Sequence, residues 1–81
     1  MSRQFRQFDE IDRSIALKII AEPGKCIRHY LDPHLADISE PAGRSRIRDL
    51  SVRGLVHLEK TKRDVLVWPL DSLKSELFGS G

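Results

Sequence analysis

Apolar positions recur at helical spacing near the start of the chain. Phe8, Ile11, Ile15 and Ile19 lie three or four residues apart, Ala16 and Ile20 widen the stripe, and Leu17 falls beyond it. The pattern predicts a helix over residues 9–22 that packs on more than one side. Asp9 can cap its start, Glu10 and Asp12 suit the positive end of the helix dipole, and Pro23-Gly24 ends it. Residues 26–30 fit either a strand or one turn of helix. Asp32-Pro33 reads as a cap followed by a proline in the first turn, with Leu35 and Ile38 as the buried side of a short helix.

Ser39-Glu40-Pro41 is a second start signal, and the helix it opens runs to about Val52 with Ile47 and Leu50 as its apolar face. Gly43 weakens that helix, and Gly54 ends it. Residues 55–59 and 65–68 are rich in β-branched, aromatic and leucine side chains, and the polar run 60–64 joins them into a hairpin. Pro69 cannot donate to a ladder, so the second strand stops there. Asp71-Ser72 is expected to cap a last short helix bearing Leu73, Leu77 and Phe78 on one side. Residues 1–8 read as a flexible N-terminal segment and 79–81 as a flexible tail or cloning scar.

The chain has 81 residues, of which 40% are hydrophobic and 32% charged. That length allows one domain, spanning 9–78, with a thin core and no room for a deep catalytic cleft unless the chain oligomerises. The apolar fraction is too high for a disordered chain. No apolar run reaches the ~20 residues that cross a membrane, and no signal peptide is visible. The one cysteine, Cys26, excludes an internal disulfide and fits a reducing compartment. The expected location is therefore cytoplasmic (nucleoid-associated) or otherwise intracellular.

The net charge of +2 conceals an uneven distribution. Residues 41–63 carry Arg44, Arg46, Arg48, Arg53, Lys60, Lys62 and Arg63 against Asp49 and Glu59, whereas both flanking segments are net acidic. A basic block is the electrostatic footprint of an anion-binding surface, although a solvated basic face has the same composition.

The run Ile47-Arg48-Asp49-Leu50-Ser51-Val52-Arg53-Gly54-Leu55-Val56-His57-Leu58 resembles the winged-helix family of DNA-binding domains. There a helix with spaced apolar residues ends at a glycine, and two apolar residues open a wing hairpin. The segment from Phe8 to Ile20 is similar to the family's first helix, so the resemblance covers about residues 9–70. The second helix is shorter than the family pattern, and Pro41-Ala42-Gly43 is unusual at the start of a recognition helix. The resemblance implies an α+β, mostly α fold: a winged helix-turn-helix with a two-stranded wing hairpin and a short C-terminal helix. It also implies a sequence-specific double-stranded DNA-binding protein, a transcriptional regulator, with the helix around residues 42–52 in the major groove.

With Ile47 and Leu50 turned inward, Arg44, Ser45 and Arg48 fall on the outer or flanking surface, while Arg46 and Arg53 fall on the opposite flank. Arg44 and Arg48 are the candidates for bidentate contact with guanine, and Ser45 for a base or a phosphate. Arg46 and Arg53 would touch phosphates or close local ion pairs. Asp49 tends outward and opposes DNA unless Arg46 or Arg53 neutralises it. The basic tip 60–63, with Lys60, Lys62 and Arg63, suits the backbone or a minor groove, although lysines also protect sheet edges.

A homodimer is expected, because two half-sites multiply specificity, with Phe5, Phe8, Leu73, Leu77 and Phe78 near the termini as its contacts. Trp68 reads as a core or rim residue beneath the wing rather than a base-stacking platform. Cys26, His29, His34 and His57 lack the paired spacing of a structural zinc site. No phosphate loop, nucleophile elbow or metalloprotease motif occurs, so an enzyme, a cofactor and a small-molecule ligand are not expected. The alternative function is a winged-helix protein–protein interaction module without DNA binding, which the modest net charge and Asp49 favour.

Overall fold

A computed structural model describes residues 9–79. Its elements in chain order are α1 (Glu10–Ala21), β1 (Lys25–Cys26), α2 (Ile27–Leu31), a 3-10 turn (Asp32–His34), α3 (Glu40–Val52), β2 (Val56–Lys60), β3 (Val65–Pro69) and α4 (Asp71–Phe78). The fold is α+β and mostly helical.

Asp9 and Asp12 close a reciprocal capping box on α1. The Asp9 carboxylate accepts from the Asp12 N–H at 2.9 Å, and the Asp12 carboxylate accepts from the Asp9 N–H at 3.4 Å. Ile15, Ala16 and Ile19 are fully buried, Ile11 and Ile20 partly so, and Leu17 faces outward. The broad stripe has its expected consequence, since α1 packs against β3, α4 and α2.

Residues 25–31 are both strand and helix. Lys25 pairs with Val67 and Cys26 with Leu66, and the chain then turns directly into α2. The sheet therefore has three antiparallel strands in the order β1-β3-β2, not the two expected from the hairpin alone. A two-residue strand is too short to show a period. It is held instead by neighbours: the Gly24 N–H donates to the Val67 carbonyl at 2.9 Å, and the buried Tyr30 hydroxyl accepts from the Lys25 N–H at 3.0 Å while donating to the Glu22 carbonyl at 2.5 Å. Gly24 has φ +79°, and a Cβ there would meet the Trp68 ring at 2.6 Å, so only glycine fits.

Asp32-Pro33 does not open a new α-helix. Pro33 lies in the first turn of a three-residue 3-10 segment that continues α2, and Leu35 and Ile38 are only half-buried. The backbone closes 3-10 and single-turn bonds from Leu35 to Asp32 and from Ile38 to His34, and the Ser39 cap then begins α3.

Ser39 Oγ accepts from the Ala42 N–H at 3.3 Å, and Pro41 occupies the first turn of α3. The helix ends in a Schellman arrangement: Gly54, at φ +78°, donates to Ser51, and Leu55 donates to Leu50. Gly43 is a packing position, because it is buried against Leu31 where α2 and α3 approach.

β2 and β3 run in register from Val56 opposite Pro69 to Lys60 opposite Val65. Trp68 lies on the outer face at 40% exposure, with its indole N–H donating to Glu59 at 2.9 Å, so it is a rim residue. The expected Asp71-Ser72 cap does not form. Leu70 occupies the cap position, and the Ser72 hydroxyl donates to the Gly54 carbonyl at 2.6 Å, tying α4 to the end of α3.

Candidate nucleic-acid interface

The core sets the orientation of α3. Gly43, Ile47 and Leu50 are buried, which turns Ala42, Ser45, Arg48 and Val52 outward. Arg44 is exposed on one flank, where its Nε donates to Glu40 at 3.2 Å across one turn. Arg48 and Ser45 are exposed, and Arg48 forms no ion pair with a described residue.

The other flank faces α1. Arg46 Nη1 donates to both carboxylate oxygens of Asp9, at 2.8 and 2.9 Å, and to Asp12 at 3.0 Å. Its side chain is 15% exposed and that of Asp12 4%. Burial alone would weaken the Arg46 charge, but the hydrogen bonds and charges of Asp9 and Asp12 outweigh it and raise the guanidinium pKa. Arg53 is similarly withdrawn and pairs with Asp49 at 3.4 Å. Of the two roles open to Arg46 and Arg53, local ion pairs are present in this structure. The Asp49–Arg53 pair also removes much of the negative charge expected to oppose DNA.

Lys60, Lys62 and Arg63 are exposed on the hairpin tip. Thr61 stiffens the turn: its N–H donates to the Asp64 carbonyl at 2.8 Å, and its hydroxyl accepts from the Asp64 N–H at 3.0 Å. A cleft of about 360 Å³ separates this tip from the starts of α2 and α3, and Arg44 and Arg28 line its opposite wall. Arg28 lies outside the basic block, in a segment whose net charge is negative, so counting charge by segment hides it. The one available signal is its place beside the apolar Ile27, Tyr30 and Leu31, which turns it outward.

The outward face of α3 carries a second, shallower depression of about 500 Å³, bordered by Ala42, Ser45, Arg46, Arg48, Asp49 and Val52.

The expected dimer contacts divide. Leu73 and Leu77 are 0% and 6% exposed and belong to the core, where α4 packs on α1, so they are not available to a partner. Phe78 is 65% exposed, while Phe5 and Phe8 lie outside the described residues.

His29 pairs with Glu22 at 3.2 Å. Slight burial opposes the Glu22 charge, but the His29 bond and the Lys18 charge prevail and lower its carboxyl pKa. Among the described residues no group of three or more His, Cys, Asp or Glu is arranged to hold a metal ion, and no helix is long and apolar enough to cross a membrane.

No protein-family model matches the chain, and neither the curated proteins nor the solved structures include a significant match.

Proposed function

We propose that the chain is a winged helix-turn-helix domain that binds double-stranded DNA in a sequence-specific manner and serves as a transcriptional regulator. The observation that carries this reading is that Arg44, on α3, and the hairpin cations Lys60, Lys62 and Arg63 border one cleft. A helix presenting Arg44, Ser45 and Arg48 can enter a major groove while the neighbouring tip meets the backbone or minor groove. The half-buried Arg46 and Arg53 act as struts rather than as contacts. The reading is of a binding domain, not an enzyme, that works inside the cell as a homodimer through residues near its termini, with Phe78 the described candidate.

Three to four phosphate contacts would give a log–log salt slope of about −3, so affinity for duplex falls roughly a hundredfold between ~50 and ~200 mM salt. Fluorescence anisotropy with a labelled random-sequence duplex tests this. Absence of binding at ~50 mM salt contradicts the reading.

A protein-interaction module is the second reading. Val52 favours it, because it is 54% exposed beside the neutralised Asp49 on the outward face of α3.

A further inference from the structure

The cleft between α2, α3 and the hairpin has a composition that its ion pairs do not explain. Five cations from three elements line it: Arg28, Arg44, Lys60, Lys62 and Arg63. Among the described residues, the one acid on its wall is Asp64. Arg28 and the three hairpin cations form no ion pair with any described residue, and Arg44 shares its charge with exposed Glu40. Like charges facing one another across a concave wall repel, and the low-dielectric walls focus their potential inward. An anion seated between them relieves that repulsion.

The two sides are also held at a fixed separation. Cys26 pairs with Leu66 on β3, and α2 begins at the next residue, so Arg28 is tied to the same sheet that carries the hairpin tip. The Thr61–Asp64 bonds fix the tip itself. Little ordering is then required when a ligand enters, which favours binding. The cleft is too small for a duplex but admits a phosphate group, with Ile27 and Val65 offering apolar surface to an attached sugar.

We propose that this cleft is a phosphate seat and that Arg28, with Arg44, forms the wall facing the hairpin tip. The phosphate comes either from the backbone of duplex DNA, in which case the proposal rests on the function proposed above, or from a free polyphosphate.

Inorganic pyrophosphate, titrated into the ¹⁵N-labelled protein at constant ionic strength, should saturably shift the amides of residues 26–28, 44 and 60–65 and leave those of α1 and α4 in place. Arg28→Ala should weaken this binding about tenfold, the value of one charge-assisted hydrogen bond, and Arg28→Lys should restore part of it. Lys62→Ala, on the opposite wall, should weaken it similarly. Circular dichroism verifies that each variant is folded. Scattered, non-saturating shifts, or unchanged binding by both alanine variants, overturn the proposal.

Duplex titrations separate the sources. If pyrophosphate displaces duplex and Arg28→Ala lowers the salt slope by about one, the seat holds the DNA backbone. If pyrophosphate saturates the cleft but duplex does not bind, the seat stands with a free polyphosphate as its ligand and the DNA reading fails. If duplex binds while Arg28→Ala keeps full duplex affinity and slope but weakens pyrophosphate binding, the DNA reading survives and the seat holds a free polyphosphate rather than the backbone. If Arg28→Ala and Lys62→Ala weaken neither, the seat is overturned.

Discussion

Arg46 reaches from α3 to Asp12 on α1, with Nη1 and Oδ1 3.0 Å apart and the Asp12 side chain only 4% exposed. The bond divides the basic block. One flank of α3 is tied to α1, and the other leaves Arg44, Ser45 and Arg48 exposed. Arg46→Met, which keeps much of the aliphatic stem, should cost about 1–3 kcal/mol of stability because buried Asp12 loses a charged donor. Urea unfolding measures this. If Arg46 contacted DNA instead, the variant would keep its stability and lose affinity.

Gly43 is the second point of close approach. A Cβ there would stand 2.6 Å from Cδ2 and 2.9 Å from Cδ1 of Leu31, a fully buried side chain. Gly43→Ala brings a helix-propensity gain of about 1 kcal/mol, against an overpacking cost of about 1–3 kcal/mol. The expected net is a loss of about 1 kcal/mol, read as a Tm lowered by roughly 4–8 °C. A raised Tm would show that Leu31 yields without cost.

Tyr30 makes stability sensitive to alkali. Burial is the main cause of its raised pKa, helped by the charges of Glu22 and Cys26 and opposed by the Lys25 N–H bond. A raised folded-state pKa means the contribution is complete below pH 10.0, the ordinary tyrosine value, and is lost as pH climbs through the higher folded value. Unfolding free energy should therefore fall above pH 10, and Tyr30→Phe should flatten that fall while costing about 1 kcal/mol at neutral pH. Tyr30 is the chain's one tyrosine, so its ultraviolet titration reports this group alone. An unshifted titration would contradict the buried geometry.

Long-period features of the fold were legible in the sequence. The α1 stripe, the Ser39 cap, the Gly54 stop and the hairpin all follow from spacing and from residues with one structural use. What escaped depends on contacts between distant segments. β1 is two residues long and exists because Gly24 and Tyr30 bind it to β3 and α1's end. Ser72 looked like a cap and instead donates to Gly54, eighteen residues away. Leu73 and Leu77 looked like terminal surface because the sequence does not reveal that α4 returns to α1. In the site, spacing separated the Arg44–Arg48 face from the Arg46–Arg53 flank, whereas Arg28 became visible only when β1 brought α2 beside the hairpin.

Base discrimination by the outward arginines is the central claim, and selection from a randomised duplex pool tests it most directly. The wild-type protein should enrich a defined site. Arg44→Ala and Arg48→Ala should each relax preference at particular positions, with about 1–3 kcal/mol lost per guanine contact removed. Enrichment of the same site with undiminished affinity by both variants would contradict the account.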